Sequence, residues 1–104
     1  MNEVSIRVDA DALRNFAREV LIRADMSPDH AATVADILVW ANLRGVDGHG
    51  VLRLPRYLNL IGLGLMNPRP EIREIHETPA SVLIEADRAL GPVALGFGMA
   101  RAID

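Results

Sequence analysis

Apolar residues recur at helical spacing through the first two-thirds of the chain. Leu13, Phe16, Ala17, Val20, Leu21 and Ala24 form one stripe, with Arg14, Arg18, Glu19 and Arg23 outside it. The spacing predicts a helix over residues 10–24, with Asp9 placed to cap its free amides. Ahead of it, Val4, Ile6 and Val8 alternate with Ser5 and Arg7, the period of a short strand or extended arm. Ser27-Pro28 is a strong start signal, a capping hydroxyl followed by a proline at the first helical position. Ala31, Val34, Ala35, Leu38 and Ala41, widened by Ile37, carry a second helix to about Leu43, where Gly45 is placed to end it. So short a connection makes the two helices an antiparallel hairpin.

A third helix is expected after Asp47, which would cap it, leaving Gly48, His49 and Gly50 in the first turn. Leu54, Tyr57, Leu58, Ile61 and Leu65 have its spacing, but Pro55 cannot sit deep in a helix, so a restart near Leu54 is the other expectation. Asn67-Pro68-Arg69-Pro70 ends this region. The period then changes. Ile72, Glu74 and His76 alternate with Arg73, Ile75 and Glu77, Thr78-Pro79-Ala80 reads as a turn, and residues 81–86 are rich in branched side chains. These two runs pair as a hairpin. After Gly91-Pro92, Val93, Phe97, Ala100 and Ile103 fall on one side of a further helix. The fold class is α+β: about three helices, a β-hairpin and the start of another helix. The sequence ends in a mid-helix pattern without a cap or polar tail, so it is expected to be the N-terminal piece of something longer.

Composition narrows the function. Of the 104 residues, 50% are apolar and 24% charged, an ordinary soluble balance. Trp40, Tyr57, Phe16 and Phe97 are the only aromatics, so the core must be aliphatic. A net charge of −3 argues against nucleic acid or an anionic membrane as partner. With no cysteine, a disulfide framework, a thiolate metal site and a cysteine nucleophile are excluded. No signal peptide is visible, and the apolar run 89–100 is too short to span a bilayer. A soluble cytoplasmic protein is the expectation.

The candidate chemistry lies in Arg44-Gly45-Val46-Asp47-Gly48-His49-Gly50-Val51-Leu52-Arg53. Imidazole can hand a proton to a developing alkoxide or take it back. If helical geometry holds across them, His49 and Arg53 share a face, and Arg53 offers a planar fork for a carboxylate beside the proton donor. That suits a small 2-hydroxy or 2-oxo acid. Spacing alone favours a surface turn histidine and a solvated arginine. Asp47 reads as a cap, Arg44 as a cation at a helix C-terminus, and Tyr57 as a core residue. His30 reads as exposed, and the three histidines lack metal-ligand spacing, so no metal site is expected. Gly62-Leu63-Gly64 and Gly96-Phe97-Gly98 lack the strand–turn–helix setting of a dinucleotide loop.

The run from Arg44 to Tyr57 resembles the N-terminal signature of the malate/L-lactate dehydrogenase family of the second type. That family includes ureidoglycolate, sulfolactate and diketogulonate dehydrogenases and cyclic imine reductases. Ala35-Asp36-Ile37-Leu38, Ala41-Asn42-Leu43, Gly64-Leu65-Met66-Asn67-Pro68, Ala86-Asp87 and Gly91 extend the likeness over nearly the whole chain. The resemblance implies a non-Rossmann oxidoreductase fold using NAD or NADP on 2-hydroxy and 2-oxo acids. It makes His49 the acid/base and Arg53 the carboxylate-binding residue, with Asp47, Arg44 and Tyr57 in support. It also implies a homodimer, with residues 1–68 a helical subdomain carrying the motif and 69–104 the start of the cofactor-binding domain. Most of the cofactor surface and the carboxylate partner of His49 would lie past Asp104, so these residues alone should not turn over substrate. One departure is Gly48, where the family usually has serine. The competing readings are a non-catalytic helical module that packs against a partner chain, and a small helical domain binding an anionic metabolite at His49 and Arg53.

Overall fold

The computed structural model describes residues 7–103. Asp9 and Ser27 start the first two helices as their positions predict. The Asp9 carboxylate accepts a hydrogen bond from the Ala12 amide at 3.0 Å, opening α1 (Ala10–Arg23), and the Ser27 hydroxyl accepts from the His30 amide at 3.3 Å, opening α2 (Pro28–Leu43). Most of the extended arm expected over 4–8 lies outside the described residues. Two single 3-10 turns, Asp47–His49 and Val51–Arg53, lead into α3 (Leu54–Gly62). A two-stranded antiparallel hairpin follows, β1 (Arg73–Thr78) and β2 (Ser81–Glu85), and then α4 (Gly91–Ile103). The α+β class holds: four helices and one hairpin, with no parallel strands among the described residues. Among those residues, no helix is long and apolar enough to cross a membrane.

The third helix begins at Leu54, so the expectation of an α-helix running on from Asp47 is corrected. Pro55 sits in its first turn, where the missing amide hydrogen costs nothing. Ahead of it, Gly50 takes an extended conformation (φ −91°, ψ −150°) that no α-helix can contain.

The core sits where α1 and α2 lie side by side. Ala17 and Leu21 of α1 meet Ala31, Val34, Ala35 and Leu38 of α2, and Met26 closes the connection between them. Alanine at these facing positions lets the helices approach closely. Leu54 of α3, Leu90 and Val93 complete the cluster, so both the site-bearing segment and the start of α4 are anchored to the same apolar centre. The helical stripes overstate this core. Phe16 lies on the α1 stripe and is 61% exposed, and Ile37 of α2 is 45% exposed.

The hairpin register pairs Glu74 with Ile84 and His76 with Leu83, leaving a bulge at Ile75. Arg101 of α4 pairs with Glu74 and, at 3.0 Å, with Glu77, fastening the helix to β1. A second tie joins the loops flanking the hairpin. Asp87 accepts from the Asn67 side chain at 2.9 Å and from the Glu71 amide at 3.0 Å. Asp87 and Arg88 both adopt positive φ there, 53° and 56°.

Two alanine substitutions separate stripe from core. Leu38→Ala should cost about 2–5 kcal/mol in denaturant unfolding, because its side chain is 1% exposed among packed neighbours. Phe16→Ala should cost about 1 kcal/mol or less, since most of that ring is in water already. Equal losses for the two would contradict this assignment of the core.

Candidate active site

The segment carrying the candidate residues hangs from a closed helix end. Arg44 is the C-cap of α2, and Gly45 follows it with φ 77°, a left-handed conformation that glycine adopts at no steric cost. The Gly45 amide donates to the Asn42 carbonyl at 3.0 Å and the Val46 amide to the Ala41 carbonyl at 2.9 Å. This is the paired closure of a Schellman motif, and it uses main-chain groups only. The chain then makes its two 3-10 turns, closed by Gly50 N–H to the Asp47 carbonyl and by Arg53 N–H to the Gly50 carbonyl, each at 3.0 Å.

One side chain joins these turns to α2. The Asn42 amide nitrogen donates to the Asp47 carboxylate at 3.0 Å, and its oxygen accepts from the Val51 main-chain amide at 2.9 Å. The orientation of the amide is settled by its partners. Reversed, it would set an oxygen against a carboxylate and an NH2 group against an N–H donor. Gly50 lies against the same amide and is buried; a Cβ there would come within 2.3 Å of the Asn42 oxygen.

Asp47 therefore does not cap a helix. Val46 occupies the cap position of the first 3-10 turn and no side chain caps it, while Asp47 is engaged by Asn42. His49 is exposed at the end of that turn. Arg53 is half-buried, and its Nε donates to the Gly48 carbonyl at 3.3 Å. Arg53 thus folds back onto the main chain of the residue before His49, and the two do not share an α-helical face. The terminal guanidinium nitrogens of Arg53 make no hydrogen bond or ion pair among the described residues.

The other candidates disperse. Arg44 lies over the ring of Trp40, 4.9 Å from its centroid. Tyr57 packs on the core from α3. His76 is exposed on β1. His30 is half-buried rather than exposed, with Nδ1 buried and unpartnered. Among the described residues, no three His, Asp or Glu side chains are grouped to hold a metal ion. Gly62 ends α3, with Gly64 just beyond it, and Gly96 and Gly98 lie inside α4. None of these four opens a helix after a strand, the setting a dinucleotide phosphate loop needs.

Asn42 and Gly50 were not singled out from the sequence. A signal existed. Asparagine is a weak helix former, and here it stands in the last turn of an alanine-rich helix, where a side-chain duty explains it better than propensity.

Residues 8–104 match the family described as malate/L-lactate dehydrogenase. The chain is 37% identical over 98 residues to the NAD(+) ureidoglycolate dehydrogenase of Escherichia coli strain K12, covering 94% of this chain and 28% of that protein. It is 45% identical over 93 residues to malate dehydrogenase of Pyrococcus horikoshii, whose solved structure superposes on 99% of this chain with a TM-score of 0.92. The sulfolactate dehydrogenase structure from Methanocaldococcus jannaschii superposes with a TM-score of 0.90 at 32% identity, over 94% of this chain and 28% of that one. The chain thus spans less than a third of the length of the relatives it matches.

Gly50→Ala should displace the Asn42 amide and break both of its hydrogen bonds. The expected cost is about 1–3 kcal/mol in thermal or denaturant unfolding. Gly48→Ala, where an added Cβ meets nothing within 4 Å, should be nearly neutral. The reverse order of the two would disprove the geometry described for the Asn42 amide.

Proposed function

The chain belongs to the malate/L-lactate dehydrogenase family, and on that premise we propose that it is the N-terminal part of an NAD(P)-dependent oxidoreductase interconverting small 2-hydroxy and 2-oxo acids. His49 is the acid/base and Arg53 holds the substrate carboxylate. The observation that supports this most is the turn itself. An exposed imidazole and a half-buried guanidinium share one short loop, and the guanidinium is steadied by a single Nε hydrogen bond that leaves its outer nitrogens for a carboxylate.

A nicotinamide cofactor, held by the remainder of the protein, would supply the hydride that the carbonyl carbon takes up in the reducing direction. His49, as imidazolium, gives its proton to the carbonyl oxygen as charge develops there, and in the oxidising direction it takes the hydroxyl proton. Arg53 orients the acid so that this oxygen faces His49. Asp47 supports the turn through Asn42, while Arg44 and Tyr57 act on Trp40 and on the core. The cofactor surface and the carboxylate partner of His49 belong to the remainder of the protein, with residues 69–104 beginning the cofactor-binding domain. On this reading the exposed apolar side chains, such as Leu52 at 71% and Leu95 at 75%, are covered by that remainder or by a second subunit of a homodimer.

The test uses the full-length protein with pyruvate or oxaloacetate and NADH or NADPH. His49→Ala should lower kcat by about 10²–10⁴-fold with the circular dichroism spectrum unchanged. Arg53→Lys should raise KM for the acid by roughly 10-fold or more, because an ammonium cannot replace the bidentate fork. Normal turnover by the His49→Ala protein would refute the assignment.

A further inference from the structure

We propose that Asn42 is a positioning residue for this reaction, one that holds the turn bearing His49 and Arg53 through its paired hydrogen bonds to Asp47 and to the Val51 amide. The inference rests on the roles of His49 and Arg53 proposed above and adds what keeps them in place.

Three observations carry it. First, the Asn42 side chain contributes nothing to closing its own helix, since the C-terminal end of α2 is already completed by main-chain bonds from Gly45 and Val46. What the amide holds is the segment beyond. Second, its two partners bracket His49. Asp47 stands two residues before it and Val51 two residues after it, so one amide holds a side chain on one side of the histidine and the main chain on the other. Third, Gly50 gives up its side-chain space to that amide, as a Cβ would overlap all three of its terminal atoms at 2.3–2.5 Å. The Asn42 backbone is itself rigid. It belongs to α2, whose inner face is the buried cluster of Val34, Ala35 and Leu38. The turn is therefore referenced to the core through one short side chain, and Arg53 is referenced to the turn through Gly48.

The chemistry of the amide suggests a test that a simple deletion does not offer. Asn42 needs both a donor and an acceptor. Asn42→Asp keeps the acceptor for Val51 N–H and places a second carboxylate against Asp47. The double variant Asn42→Asp/Asp47→Asn exchanges the roles. The new carboxylate accepts from both the Val51 amide and the new side-chain amide, and one negative charge remains on the pair, as before.

In the full-length protein, kcat/KM for the 2-oxo acid should fall roughly 10- to 100-fold in Asn42→Ala and in Asn42→Asp, the size expected when a supporting residue lets catalytic groups drift. Melting temperatures should drop by only a few degrees. The exchanged double variant should recover to within about 3-fold of the parent, a rescue that sets positioning apart from a general packing loss. Parental kcat/KM in Asn42→Asp, or a double variant no better than Asn42→Asp, would overturn the proposal. If Asn42→Ala does not fold, the exchanged pair decides alone. His49→Ala in the same assay separates the two levels. An inactive His49→Ala beside fully active Asn42 variants overturns only the positioning role, whereas an active His49→Ala overturns the site assignment and the positioning role with it.

Discussion

The side-chain amide of Asn42 ties the middle of the turn bearing His49 to the rest of the molecule. The turn has no core of its own. Between Gly45 and Leu52 the backbone is mostly exposed, and only Gly50 is buried. A segment of that kind, closed only by its own 3-10 hydrogen bonds, would sample many arrangements, since single 3-10 turns have poor bond geometry and low intrinsic stability. Two further hydrogen bonds to one fixed amide remove most of that freedom. They do so where the chain makes little use of packing, since most residues of this segment are exposed.

The other constraints serve the same end. Alanines and valines on α2 let α1 lie close against it, which makes α2 a stiff platform. Gly45 permits the left-handed residue that turns the chain off that platform at once, so that Asp47 comes back within reach of Asn42. Leu54, buried and part of the core cluster, fixes the far end of the segment. The turn is thus held at its near end by the main-chain closure of α2, at its far end by apolar packing, and in the middle by the amide. Farther along, Asn67 and Asp87 join the loops on either side of the hairpin, and Arg101 ties α4 to β1, so polar side chains again do what a small aliphatic core cannot.

Local periodicity made the scaffold legible. Ser27 and Pro28 marked a helix start, Gly45 a helix end, Pro55 a restart, and the change from helical to alternating spacing near Ile72 marked the hairpin. These are short-range features, decided by residues within a few positions of one another. The errors were of a different kind. Asp47 ahead of an apolar run has the form of an N-cap, but the competing partner was an asparagine on the previous helix. Phe16 has core spacing on α1 and still faces outward, because no described element packs over it. His30 has polar neighbours in sequence and is nonetheless half-buried, with Nδ1 out of water. The first outcome turns on a side chain only five residues back, but one on the preceding helix rather than on the helix Asp47 would have capped. The residues of the motif were nameable from the family likeness, whereas the asparagine that holds them became visible only once donors and acceptors were traced.

The three glycines of the motif now separate by cause. Gly45 is required by a positive φ and Gly50 by the Asn42 amide pressed against it. Gly48 is required by neither: its φ is not in the left-handed region, and a Cβ would point into open space. Glycine at the position before the histidine, where the family usually carries serine, is therefore not imposed by the packing of this turn. What Gly48 does supply is its carbonyl, which accepts the Nε hydrogen bond of Arg53, and a carbonyl is indifferent to the side chain on its residue. The contact that folds Arg53 back beside His49 in the chain is consequently a backbone property of the turn, and it depends on the shape that Asn42 and Gly50 impose. A serine hydroxyl at this place would add a polar group on the open side without altering that shape, so the departure at Gly48 bears on what the turn meets in solution and leaves intact how the turn is built.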